Sequence, residues 1–467
     1  MTTEPTLLLA GGTLIDGNGA TPVPSTDVLL RGDEIIAVGP SGTLLTDPPN
    51  DDHPPNEHDH GPGLVSGGAI TTIDCTGRTV MPGLIDAHCH ITFGEPQSND
   101  ELFFHRPQSQ AAYLAAFNVP KLLRAGVTGF LDADCIFDLG PALRDAINSG
   151  MVEGPRMKSG MNALLTAAGG TAGRLIPDAG RLGYAHVMGD RDEMVRTTRQ
   201  QIKYGADWVK IHVTGSVPNH KDELSVWGAD ELRAVVETAH ALDTPCVAHC
   251  RSADSTALAA ECGVDLILHA SFMDDRALDA VVASGAAIAP TFTFLANLAD
   301  HGHAVGAATG QVDIFRGEIR ATAEMMRKAF DAGVTLLCGS ESGFSLTPYG
   351  EWHAREMEVF VDELGLTPIE AITCATANGA LALRMPGEVG VIAPGRRADV
   401  LVVDGNPGSD VRVLADRRNL VEVISRGARV DLSRPWPTRS PLVGEKVGMW
   451  SAQPLTWATA HPAPLRP

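Results

Sequence analysis

The chain has 467 residues, 44% of them hydrophobic and 20% charged, which is too long for one small core and suits a large domain with a smaller companion. Its formal net charge of −21 disfavours nucleic acid or an anionic membrane as a partner. Eight cysteines without a C-x-x-C pair argue against a disulfide framework and fit a reducing cytoplasm.

The first ten residues carry no basic leader, so no signal peptide is expected. No apolar run reaches the roughly 18 residues of a membrane span. Residues 6–39 read as short strands, TLLLAGGTLIDG and DVLLRGDEIIAVG, with turns at Gly11–Gly12 and Gly32–Asp33. Residues 47–68 are rich in Pro, Asp and His without an apolar period. They read as an exposed loop, with His53, His58 and His60 solvated rather than ligating. A strand resumes at AITTIDCTGRTV.

From Val80 onward short apolar runs alternate with helical patterns. The runs are residues 80–90, 128–134, 156–160, 207–213, 245–250, 266–270, 286–292 and 335–342. Segments between them, such as DEMVRTTRQQIKYG and ADELRAVVETAHAL, carry apolar residues at helical spacing. Strand–helix alternation repeated in this way predicts an α/β fold, a (β/α)8 TIM-like barrel over residues 80–385. TPIEAITCATANGALAL reads as a helix, and short strands return in VGVIAPGRRADVLVVDG and LVEVISRGARVDL. Residues 1–79 and 386–432 are therefore expected to form one small β-sandwich domain from both chain ends. The Pro-rich tail, 433–467, holds Trp436, Trp450 and Trp457 and is expected to pack over the barrel or a partner subunit.

Catalytic groups of such a barrel project from the C-terminal ends of its strands. The first run ends in His88-Cys89-His90, the fourth contains Lys210, the fifth and sixth reach His249 and His269, and the eighth carries Glu341. His88 and His90 are two apart, so a strand turns both to one side. Imidazoles and a carboxylate suit a divalent metal, with Zn first and Mn, Co or Fe as alternatives. A lysine within the apolar run WVKIH is costly unless paired or modified.

With these residues in place, the chain resembles the amidohydrolase superfamily over nearly its whole length. MPGLIDAHCH matches the signature of the first strand and IAPGRRADVLVVD that of the C-terminal β-domain. GPRMKSGMNALL, GADWVKIHVTG and HAREMEVFVDELGLTPIEAI are most similar to the branch of imidazolonepropionase-like enzymes and Xaa-Pro dipeptidases, which also holds phenylurea and thiocarbamate hydrolases. The resemblance implies that His88 and His90 bind the more buried metal. It implies that N-carboxylated Lys210 spans two metals and that His249 and His269 bind the second. Where the family places Asp on the eighth strand, this chain has Glu341, which leaves a one-metal and a two-metal centre both open. Where dipeptidase relatives have G-G-H-G, this chain has GGTAG with Thr171, a departure that points away from dipeptides.

The expected activity is hydrolysis of an amide, urea, carbamate or related carbonyl C–N bond of a small, neutral, hydrophobic substrate by a metal-activated hydroxide, with Glu341 as proton acceptor. A Xaa-Pro-type dipeptidase or N-acyl amino acid hydrolase is the alternative; a deaminase and a non-catalytic relative are the others. His212 and Thr171 are candidates for substrate contact, His353 a weaker one, and His240 reads as structural. Phe103, Phe104, Trp227, Phe292, Phe294 and Leu295 are the expected apolar lining. A homo-oligomer is a family expectation.

Overall fold

A computed structural model describes residues 5–44, 70–97, 107–169, 183–218, 223–306, 310–440 and 453–462. The loop 47–68, Thr171, Phe103, Phe104, His220 and Trp450 lie outside them.

Both chain ends contribute to one eight-stranded sheet. Its path runs Ala428–Arg429, Leu420–Ser425, Val400–Val403, Thr79–Pro82, Thr6–Leu14, Val23–Arg31 and Glu34–Pro40, with Ile70–Asp74 beside Thr6–Leu14. Period-two alternation sorts the side chains: Leu7 and Leu9 join Val28, Leu30, Ile35 and Val400 in one cluster, while Leu8 joins Leu29 and Ala37 in another. Gly11–Gly12 does not turn the chain as expected. It forms an irregularity inside the nine-residue strand Thr6–Leu14. Gly11 has φ 73°, and a Cβ on Gly12 would lie 2.7 Å from Val80 Cγ2, so the two glycines serve a β-bulge. Gly32 (φ 52°) does make the hairpin turn between Val23–Arg31 and Glu34–Pro40.

The predicted run 80–90 splits at Gly83. Thr79–Pro82 joins the large sheet and Leu84–Cys89 starts the second structural unit. Here a Cβ on Gly83 would lie 2.0 Å from Thr128 Oγ1, so only glycine lets the two units approach. Buried Arg156 adds a tie between them: its Nε donates to Asp399 Oδ2 at 2.6 Å and its Nη2 to Asp33 Oδ1.

In the second unit, Leu84–Cys89 pairs in parallel with Val127–Asp132, and that with Arg156–Ser159. The Trp208 N–H donates to Ser159 O at 3.1 Å. From there Val209–His212, Cys246–Cys250, Leu266–His269 and Ala287–Ala289 pair in parallel in sequence. Parallel bridges Ile288↔Leu336 and Cys89↔Ser342 bring segment 335–342 between the last and the first of these strands. Pairing therefore returns to its starting strand. A helix follows each segment, including Gln108–Arg124, Arg191–Lys203, Ala229–His240 and Gly310–Asp331. Arg191–Lys203 starts at an Asp190 N-cap that accepts from the Glu193 N–H.

The eight cysteines are free and buried. The tail lies against the second unit: Leu455 is fully buried, its N–H donates to Ser345 O at 2.7 Å, and its O accepts from Trp352 Nε1 at 2.7 Å. Among the described residues, no helix is long and apolar enough to cross a membrane.

Candidate metal centre

Parallel pairing puts the C-terminal ends of these strands on one side. His88 and His90 leave the end of Leu84–Cys89 with rings 4.9 Å apart. Register aligns His212 with His249, and their rings stack at 4.9 Å. His249 and His269 are 4.6 Å apart, and His269 returns to His88 at 5.2 Å. Ligand atoms of His88, His269 and Glu341 all lie within 4.8 Å of one another. His88, His90, Lys210, His212, His249, His269 and Glu341 line one cavity of about 210 Å³.

Backbone strain collects at the same rim. His269, Ala270, Thr291 and Glu341 have φ of 67°, 47°, 59° and 53°, a region that β-branched and long side chains avoid. Local bonds hold them there. The Glu341 N–H donates to His88 O at 2.7 Å, and the Thr347 hydroxyl donates to Glu341 O at 2.7 Å. Asp86 clasps the first and last segments: Oδ1 accepts the N–H groups of His88 (3.1 Å) and Ser340 (3.0 Å), and Oδ2 pairs with His353 Nδ1 at 2.7 Å. Thr291 Oγ1 lies 2.9 Å from His88 Nδ1 and fixes that ring. Thr291→Val is isosteric and removes the contact; metal affinity in a chelator competition should fall about 10–100-fold. An unchanged affinity would mean that Thr291 does not orient His88.

Burial holds the imidazoles of His88, His249 and His269 well below their usual range, helped by Lys210 and neighbouring rings. They are uncharged, with lone pairs for a cation. Burial also lowers Lys210, against the pull of Asp134 and Glu341. Glu341 opens onto the cavity but is otherwise enclosed by protein, and this burial pushes it up to about 7, against the charges of His90, Arg251 and Lys210. His269 Nε2 is buried with no hydrogen-bond partner among the described residues. Such an orphaned nitrogen is costly by itself and suits a metal ligand. The donor set therefore fits a divalent ion.

Three site residues escaped the sequence reading. Asp134, just past Val127–Asp132, lies against His90 Nδ1 and, at 2.9 Å, His212 Nε2. Burial alone would raise its pKa. The charges of His90 and Lys210 and the His212 hydrogen bond outweigh that and hold it well below the carboxylate range. Glu223, from the hairpin Thr214–Pro218/Glu223–Ser225, places Oε2 3.1 Å from His249 Nε2. Arg251 lies 3.6 Å from Glu223 and donates to both Glu318 oxygens at 2.7 and 2.8 Å.

The apolar lining needs correction. Phe294 and Leu295 face the cavity with Phe93, Tyr184, Phe315 and Phe344. Phe292 packs against Phe360 at 6.4 Å instead. Trp227 is buried behind the wall, its Nε1 donating to His212 O at 2.7 Å. His353 is taken up by the Asp86 clasp, and half-exposed His240 pairs with Asp265 at 2.8 Å.

The profile of the amidohydrolase family matches residues 79–430. Ochratoxinase from Aspergillus niger is 28% identical over 374 residues, covering 74% of this chain and 75% of the relative. A crystal structure of a prolidase complexed with N-methylphosphonate-L-proline is 27% identical with TM-score 0.74, covering 91% of this chain and 99% of that one. Phenylurea hydrolase B shares the fold at 22% identity and TM-score 0.71, covering 93% of this chain and 100% of that one.

Proposed function

The chain belongs to the amidohydrolase family, whose homologues are hydrolases, and from that premise we propose that it is a metal-dependent hydrolase of an amide, urea, carbamate or related carbonyl C–N bond in a small, neutral, hydrophobic substrate. The observation that carries the reading is the set of uncharged imidazoles and Glu341 on one cavity, beside Lys210, Asp134, Glu223 and Arg251 and facing a wall of Phe93, Tyr184, Phe294, Phe315 and Phe344. The returning pairing of eight parallel segments supports a (β/α)8 barrel. Eight buried free thiols support a reducing cytoplasm.

His88, His90, His249, His269, Lys210 and Glu341 would hold the metal, with Zn, Mn, Co or Fe suited to them. When bound, it would supply Lewis acidity to the scissile carbonyl and lower the pKa of a water to roughly 7. Glu341 takes the proton of the attacking water and delivers it to the leaving nitrogen. The aromatic wall holds the substrate and excludes bulk water, which strengthens every charge inside.

Lys210 is proposed to be carboxylated. Burial favours its neutral amine, which attacks CO2, forms a C–N bond and releases one proton. Arg251 and Glu318 cancel each other's charge. The remaining side chains are then four anions: the carbamate, Asp134, Glu223 and Glu341. Two divalent ions balance them. An unmodified ammonium would leave a deficit of two charges, matched by one ion. Carboxylation and ion number are thereby coupled.

Arg251 is engaged by Glu318 and Glu223, which leaves it poorly placed to receive a substrate carboxylate. This supports a neutral substrate over a dipeptide or an N-acyl amino acid. The test is a panel of hydrophobic anilides, aryl-ureas and carbamates set against Xaa-Pro dipeptides on metal-loaded enzyme. The neutral compounds should be turned over with kcat/KM at least about tenfold higher, the scale of one unpaired buried charge. Preference for dipeptides would overturn the neutral-substrate reading.

A further inference from the structure

We propose that Asp134 is a positioning residue for the metal centre: it fixes the tautomer of His90 through Nδ1, so that His90 meets the metal through Nε2, and ties that ligand to His212 and Tyr184 on the substrate wall. The inference rests on the metal-centre reading above.

Asp134 is 1% exposed. One carboxylate oxygen lies in close contact with His90 Nδ1, and the Asp134 main-chain O lies 3.4 Å from the same nitrogen. The other carboxylate oxygen faces His212 Nε2 at 2.9 Å, the Tyr184 hydroxyl at 3.3 Å and Lys210 Nζ at 4.0 Å. Two other buried carboxylates near the site accept hydrogen bonds from backbone amides. Asp86 receives those of His88 and Ser340, and Asp132 that of Ile91. The partners of the Asp134 carboxylate are all side chains, and all four, His90, His212, Tyr184 and Lys210, border the cavity.

An imidazole that donates Nδ1–H to a carboxylate keeps its lone pair on Nε2. The pairing also makes that nitrogen more basic and a better ligand. His90 is held on its other faces by Phe93, stacked at 4.5 Å, and by Phe344 edge-on at 5.5 Å, so the ring is fixed in plane as well as in tautomer. His212 and Tyr184 lie 3.2 Å apart and share the second oxygen. A ligand-side imidazole and two substrate-side groups thus depend on one carboxylate, contributed by a strand end that the family's ligand positions do not use in this chain.

The test compares Asp134→Asn with wild type by Zn²⁺ chelator competition and by the crystal structure of Zn-loaded wild-type enzyme. The variant should bind Zn²⁺ about 10–100-fold more weakly and still rise in melting temperature when saturated, which a merely structural lesion would not reproduce. In the wild-type crystal, His90 Nε2 should sit at about 2.0–2.1 Å from zinc with Nδ1 still on Asp134. Unchanged affinity overturns the proposal. So does a wild-type structure in which an Asp134 oxygen or His90 Nδ1 is on the metal, and this arm holds even if the variant fails to fold. A wild-type enzyme that binds no metal overturns the metal-centre reading instead.

Discussion

Glu341→Gln should lower kcat by about 10²–10⁴-fold, the range for loss of a positioned acid–base group, while the folded protein keeps at least one bound metal ion. Gln preserves the side-chain length and one acceptor oxygen but cannot take a proton. The pH profile carries the same information. Burial raises the Glu341 carboxyl to about 7, and a base works only when deprotonated. Activity should therefore rise with pH through an acid limb at or below that value, since bound cations favour the ionised form. The limb should vanish in the residual activity of Glu341→Gln. Full activity in the variant would remove Glu341 from the mechanism.

Lys210→Gln should cost at least about 10²-fold in kcat, the scale of losing one preorganised charge, and should lower bound metal from two ions to one or fewer. The reason is charge balance. Without a carbamate the cavity loses an anionic ligand, and the three carboxylates of Asp134, Glu223 and Glu341 no longer balance two divalent ions. Purification of wild type in decarbonated buffer should reproduce the reduced metal content, and added bicarbonate should restore it. A variant with wild-type metal content would show that Lys210 is not a ligand.

The imidazole set, Lys210 and Glu341 were legible in the sequence because strand ends can be located from apolar runs, and parallel strands bring such ends together. No comparable rule picked out Asp134, a single carboxylate two residues past Asp132. Glu223 reaches His249 from a hairpin inserted after the fourth ring strand, a contact with no sequence period behind it. The aromatic lining shows the same boundary. Phe292 and Phe294 are two residues apart at a helix start, yet one packs against Phe360 and the other faces the cavity. Which one points inward depends on side-chain direction rather than on hydrophobicity. Gly11–Gly12 was read as a turn because its chemistry suits one, and pairing with two neighbouring strands made it a bulge.

A shared cation among His88, His90, His249 and His269 is tested most directly by the metal content of the wild-type chain dialysed without chelator in bicarbonate buffer. Two divalent ions per chain, removed together with hydrolysis by a chelator and returned by Zn²⁺, Mn²⁺ or Co²⁺, are predicted. A folded chain that holds no metal and takes up none on addition would contradict it.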